Sequence, residues 1–234
     1  MRIQSLHPWN VSYRDAVLIQ EQLRANISLI NSKRTIRSVA GTDVSYSKGG
    51  EAGIAAVVAL SYPDLEILDE AVAVGKITFP YIPGVLSFRE APLLIQAFRN
   101  LRYLPDVVLY DGQGIAHPRS FGLASHMGLL LDVPSIGCAK EKLVGDFGEV
   151  GFQPGSVTPL TMEGKTVGAV VRTRRGIKPV FVSPGHHIDL ETSVELVMRT
   201  CRGFRLPEPL RRAHLVAKRI REREELLPRD HEVR

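Results

Sequence analysis

Residues Val107 to Lys140, VVLYDGQGIAHPRSFGLASHMGLLLDVPSIGCAK, constrain the fold of this chain more than any other stretch. The apolar run VVLY reads as a buried strand, and it ends on Asp111 with Gly112 and Gly114 close behind. Gly122–Leu131 then has a helical pattern, and Pro134–Ala139 is again apolar and β-like. A strand, a helix and a second strand in succession favour a parallel crossover, since an antiparallel pair needs only a tight turn. The same stretch concentrates chemistry. A carboxylate at the C-terminal edge of a buried strand is a metal-ligand position, and His117, Arg119 and His126 follow it. Backbone amides, a base and a cation near one carboxylate describe a site for a phosphate.

The rest of the chain completes a mixed sheet. Ser12 to Ile30 holds Ala16, Val17, Ile19, Leu23 and Ile27 at near-helical spacing, which predicts an opening helix laid over the sheet. Three β-like runs near Ser38–Tyr46, Gly53–Ser61 and Glu66–Val74 are separated by SKGG and YPD, short turns that imply antiparallel hairpins. FPYIPG is a proline-punctuated loop, and Leu86, Phe88, Leu93, Leu94, Ile95 and Phe98 predict a helix over about 85–100. Strands are expected near 167–172 and 180–183, followed by a helix to about Cys201 and a last helix from near Pro209. Asp189 or Thr192 can cap the first of these helices, and Thr192 with Glu195 fits a capping box. The fold class is α/β, with antiparallel hairpins and then parallel strands in one mixed central sheet flanked by helices.

Length and charge bound the function classes. At 234 residues and 44% hydrophobic content, with no internal repeat or low-complexity linker, one domain over residues 1–234 is expected. The formal charge is +5, and residues 202–234 hold ten Lys/Arg against six Asp/Glu. Nucleic acid is the natural acidic partner for such a surface, although a solvated helix face with mixed charge pairs has the same composition. Cys138 and Cys201 make neither a metal spacing nor a disulfide framework. The N-terminus lacks the apolar core of a signal peptide, and no run approaches the ~20 apolar residues that span a bilayer, so a cytoplasmic protein with no membrane partner is expected.

Further polar positions stand out beside Asp111. Asp43 shares strand parity with Val39, Gly41 and Ser45. A carboxylate there is costly to bury unless paired or bound to metal, whereas on a solvated hairpin face it is unremarkable. Glu90 falls in the first turns of a helix, where Glu also serves the helix dipole. His214 lies beside the apolar stripe Leu210, Ala213, Ala217 and Ile220 and is read as facing inward. Such a histidine is either a satisfied core residue or, if it looks onto the strand edges bearing Asp43 and Asp111, a group that positions or deprotonates water. Carboxylates from separate elements suit oxygen-ligated Mg²⁺ or Mn²⁺ better than zinc. Lys140 and Arg119 are candidates for the non-bridging phosphate oxygens. His126 and the His186-His187 pair read as structural.

The motifs GTDVSY, FPYIPGVLSFRE, DGQGIAHPRSFGLASH, SIGCAKEKLVG, VSPGHHIDL and RRAHLVA occur in the order seen in endonuclease V, and the chain resembles that family over nearly its whole length. The resemblance implies a ribonuclease H-like fold and Mg²⁺-dependent cleavage, with Mn²⁺ able to substitute. The bond cut is the second phosphodiester 3′ to a deaminated purine, chiefly deoxyinosine, and the products are 3′-hydroxyl and 5′-phosphate ends. By position, Asp43, Glu90 and Asp111 are similar to the family's metal-binding carboxylates, His214 to its assisting histidine and Lys140 to its active-site lysine. Pro80, Tyr81, Ile82 and Pro83 resemble its wedge, and Gly84, Leu86, Gly112, His117, Arg119, Gly122 and Leu123 fall around its base pocket and DNA contacts. Gln113 stands where His is frequent in the family.

This reading implies DNA carrying deoxyinosine or other deaminated bases as partner, with inosine in RNA as a further candidate, and a monomeric enzyme. A Tyr held between prolines is a stiff plane for filling a vacated base stack, and extruding a mispaired base costs only about a few kcal/mol. Two alternatives remain at this point: another ribonuclease H-like nuclease that cuts junctions or hybrids, and a non-catalytic binder of damaged DNA.

Overall fold

The computed structural model describes residues 3–32 and 35–226. Among them, eight strands form one sheet in the order β3-β2-β1-β4-β5-β8-β7-β6. In chain order these are β1 (Ser38–Tyr46), β2 (Ala52–Ser61), β3 (Ile67–Lys76), β4 (Val107–Tyr110), β5 (Ser135–Ala139), β6 (Val157–Met162), β7 (Lys165–Val171) and β8 (Val180–His186). The helices are α1 (Tyr13–Leu23), α2 (Leu86–Arg99), α3 (Leu123–Leu131), α4 (Leu190–Thr200) and α5 (Glu208–Leu226).

The expected mixture of hairpins and parallel strands is present. β1, β2 and β3 pair antiparallel, and β1, β4 and β5 pair parallel. β8 returns antiparallel to β5, and β7 and β6 extend the sheet antiparallel from there.

Strand alternation divides the core into two layers. Ala40, Ala55, Val57, Val108 and Tyr110 pack with α2 and α3, while their neighbours Val39, Ile54, Ala56, Val107 and Leu109 pack with α4 and α5. Burial of both faces explains why the central strands are apolar at nearly every position instead of alternating.

Three expectations need correction. The opening helix does not run from Ser12 to Ile30. Ser12 caps α1, which ends at Leu23 and tightens into a 3₁₀ turn at Arg24–Asn26. The chain then extends, because the His187 N–H donates to Ser28 O at 2.7 Å and the Ser32 N–H to His187 O at 3.2 Å. Extended backbone pairing there displaces the helix. Nor does α1 cover the sheet: Ala16 packs with Phe79, Val85 and Phe88, at the FPYIPG loop and the start of α2. Finally, β6 was not anticipated from VTPLTM; Pro159 fits because β6 is an edge strand, where a missing donor costs nothing. Of the two candidate caps for α4, Asp189 is the one used, its side chain accepting from the Thr192 N–H.

Candidate active site

Register places the first two carboxylates. Thr42 of β1 pairs with Tyr110, the last residue of β4, in the parallel ladder, so Asp43, in mid-strand on β1, stands level with Asp111, the first residue beyond β4. Two glycines let other elements come this close. A methyl group on Gly41 would fall 2.1 Å from the Pro209 carbonyl carbon, so the bare strand is what allows the start of α5 to rest against β1. One on Gly137 would fall 2.3 Å from the Gly114 nitrogen, where the DGQG loop crosses β5.

The helices bring the remaining groups. On α2, Glu90 is buried and accepts a hydrogen bond from the Tyr46 hydroxyl at 2.7 Å. The Arg89 guanidinium lies over the Tyr46 ring at 4.6 Å. On α5, His214 Nδ1 is 3.1 Å from Asp43 Oδ2. Lys140, directly after β5, donates to Asp111 Oδ2, and Arg221 donates to Ser45 Oγ at 3.0 Å. Asp43, Glu90, Asp111, Lys140 and His214 thus line one cavity of about 460 Å³. His214 does meet Asp43, but contrary to the inward-facing expectation its side chain is 53% exposed.

The carboxylates repel one another. Burial, and after it the Asp111 charge, raises the Asp43 pKa against the opposing pull of His214. Burial also lifts Glu90 to about 8; the Tyr46 hydrogen bond opposes this, and Asp43 and Asp111 add to it. Asp43, Glu90 and Asp111 face one cavity and form an all-oxygen donor set, which suits a hard divalent cation. The cysteines take no part, since Cys138 is fully buried and Cys201 partly so.

A second cavity of about 400 Å³ adjoins the first and shares Asp111, Leu123 and Lys140 with it. Tyr81, Pro83, Gly84, Leu86, Gly112, His117 and Gly122 all line it. Within the PYIP loop Pro80 is exposed, Tyr81 is 70% exposed, and Ile82 turns inward against the α1 cluster. Arg119 does not stand free for phosphate as Lys140's companion. Its Nε donates to Gln20 Oε1 at 2.7 Å and its Nη2 to Gly84 O at 2.5 Å. His117 is buried, its pKa held down at about 4 first by burial and then by Arg119. Gln113 also lines this cavity, its Nε2 donating to Glu141 O at 3.1 Å.

His126, His186 and His187 are each held by hydrogen bonds within the fold. His126 is fully buried between Ser87 Oγ and His7 Nε2, at 3.0 and 2.7 Å. Asp132, His186 and His187 do place ligand-type atoms within 4.8 Å of one another. However, His186 Nδ1 accepts the Ser28 N–H at 3.3 Å, so the neutral ring carries its proton on Nε2, toward Asp132. Hydrogen bonding accounts for that group.

Sequence reasoning missed Tyr46, Arg221 and Gln20. Tyr46 ends the GTDVSY motif with nothing local to tie it to Glu90. Gln20 had a signal: it lies four residues after Ala16 and three before Leu23, on the stripe that α1 buries.

Comparison with known proteins agrees with the motifs. The sequence model of the Endonuclease V family matches residues 21–215. An endonuclease V of Dehalococcoides mccartyi (strain CBDB1) is 47% identical over 220 residues, covering 94% of this chain and 99% of that protein. The endonuclease V crystal structure from Bacillus subtilis superposes with a TM-score of 0.91 at 32% identity, covering 96% of this chain and 99% of that one. Ciona intestinalis endonuclease V, solved with a 23mer DNA containing an inosine followed by a ribo-adenosine, gives a TM-score of 0.82 at 28% identity, covering 92% and 100%. The mixed sheet with helices on both faces is the ribonuclease H-like arrangement of these structures.

Proposed function

This chain belongs to the endonuclease V family, and on that footing we propose that it is a DNA-repair endonuclease acting on deaminated purines, chiefly deoxyinosine. It hydrolyses the second phosphodiester bond 3′ to the lesion and leaves 3′-hydroxyl and 5′-phosphate ends. The observation that carries this reading is the junction of two cavities: a carboxylate cluster opens directly into a base-sized pocket beside an exposed Tyr between prolines.

Asp43, Glu90 and Asp111 would hold Mg²⁺, for which Mn²⁺ can substitute. When bound, the ion supplies Lewis-acid stabilisation of charge on the phosphate and leaving oxygens. The protein's own groups do the rest. With Nδ1–H donated to Asp43, the His214 ring keeps its lone pair on Nε2 and can accept a proton from water there. Lys140, paired with Asp111 at the boundary of the two cavities, is placed to hold a non-bridging phosphate oxygen. Tyr81, stiffened by Pro80 and Pro83, fills the gap left when the base turns out. Gly84, Leu86, Gly112, His117, Gly122 and Leu123 then enclose that base, with Arg119 bracing Gly84 from behind. No helix among the described residues is long and apolar enough to cross a membrane. The enzyme is proposed to work as a cytoplasmic monomer.

The test is an end-labelled duplex with one inosine, incubated with Mg²⁺ or with EDTA beside an undamaged duplex. A Mg²⁺-dependent nick at the second bond 3′ to inosine is expected. Tight inosine binding without a nick would point to a damage binder, and equal cutting of both duplexes to a general nuclease. The same assay on inosine-containing RNA decides whether RNA is a substrate.

A further inference from the structure

Helix α1 is mostly solvated, and of its residues only Ala16 and Gln20 are buried. Gln20 is 1% exposed and every polar atom of its side chain is bonded. Nε2 donates to Gly84 O and to Phe121 O, both at 3.1 Å, and Oε1 accepts the Arg119 Nε–H at 2.7 Å. A buried amide is tolerated only when bonded in this way, and a leucine would fill the same volume without that requirement. The polar choice therefore points to what the bonds hold.

They hold the two walls of the base pocket. Gly84 is the foot of the PYIP loop, at φ +82°, separated from α2 only by its N-cap Val85. Its carbonyl also accepts His117 Nε2–H at 2.9 Å and Arg119 Nη2–H at 2.5 Å. The His117 tautomer is set by the Arg119 N–H, which donates to Nδ1 at 3.2 Å. Phe121 lies directly before Gly122 and the start of α3. Gly84, Leu86 and Ser87 form one side of the cavity and Gly122 and Leu123 another, and Gln20 itself lines it. One side chain, far away in sequence, is bonded to both backbones at the points where the loops become helices.

We propose that Gln20 is a positioning residue for lesion recognition: its amide clamps the Gly84 and Phe121 carbonyls and thereby fixes the width of the base pocket and the root of the PYIP loop. This rests on the proposed function above. Gln20 touches none of the reacting groups in the carboxylate cavity, so its loss acts on the ability to seat the extruded base and not on the chemical step.

The experiment compares wild type, Gln20→Leu and Gln20→Glu in single-turnover nicking of an inosine duplex in Mg²⁺, with binding to an undamaged duplex and thermal melting measured alongside. Gln20→Glu keeps an acceptor for Arg119 but loses both donors, so it isolates the clamp. Both variants are expected to raise the half-saturating enzyme concentration for inosine DNA about tenfold, the effect of one or two lost hydrogen bonds. The rate at saturation should stay within about twofold, and binding to undamaged DNA should not change. An unchanged half-saturation in a folded variant overturns the proposal. So does a parallel loss of affinity, saturating rate and melting temperature, or failure of both variants to fold, since each marks a merely structural residue. If wild type does not cut inosine DNA, the functional reading itself fails, which is a separate result.

Discussion

His214 Nδ1 lies 3.1 Å from Asp43 Oδ2, although the two residues are 171 positions apart in the chain. The contact joins the last helix to the first strand, and it depends on Gly41, against which the Pro209 backbone rests. A mid-strand carboxylate and a helix-borne imidazole are thus coupled by backbone packing two residues from the one and five from the other.

Asp43→Ala should abolish nicking while leaving inosine-DNA binding in place, because the base pocket is lined by other residues. His214→Ala should keep residual nicking, reduced by about 10²–10⁴-fold, the usual contribution of a positioned acid or base. Gel assays of nicking and binding on the same duplex check both; full activity in Asp43→Ala would remove that residue from the mechanism.

Gly41→Ala should cost about 1–3 kcal/mol of stability, as an added methyl forces α5 off β1. Because the displaced helix carries His214, activity should fall toward that of His214→Ala. Denaturant melts and the nicking assay on one preparation would show whether the two losses travel together.

Glu90 gives the metal-free protein a pH dependence. Its carboxyl is lifted from 4.5 to about 8 in the folded state, chiefly by burial. Between those values the folded protein binds the proton more than the unfolded chain does, so stability falls as pH rises from about 4.5 to about 8. In EDTA, the protein should be less stable at pH ~9 than at pH ~6 by on the order of a few kcal/mol from this group. Glu90→Gln should flatten that slope and abolish Mg²⁺-dependent nicking. Melting curves in EDTA at the two pH values measure it; a slope that persists in Glu90→Gln would assign it to other groups.

His117 and His186 act at the acid end. Burial lowers both from 6.5 to about 4, so below about 6.5 the unfolded chain takes up protons that the folded protein refuses. Stability from these groups is complete above about 6.5 and is lost as pH falls toward 4. His186→Gln should make the acid side of the stability profile shallower, a change that a pH series of thermal melts resolves.

Tyr81→Ala should weaken inosine-DNA binding with stability changed by less than about 0.5 kcal/mol, since the ring is 70% exposed and packs against no core. Ile82→Ala, by contrast, should lower stability, because Ile82 packs against the α1 cluster. Equal stability losses in both would mean that the loop is anchored through Tyr81 instead.

The sequence by itself determined most of the strands, all but β6 being expected, and the sheet's mixed character. Continuous apolar runs, short turns and the strand-to-helix-to-strand spacing are local patterns that elementary sterics and burial impose on neighbouring residues. It also carried the PYIP loop, in which proline stiffens the backbone wherever it stands. Only the tertiary structure decided that Tyr46 bonds Glu90, that His214 meets Asp43 from an exposed position, and that Gln20 clamps Gly84 and Phe121. It also ended α1 early, by pairing Ser28 and Ser32 with His187. Each of these depends on a hydrogen-bond partner many residues away in the chain. Local periodicity reports only which face of an element is buried, and the partner it meets there is set by strand register and by how closely helices approach the sheet.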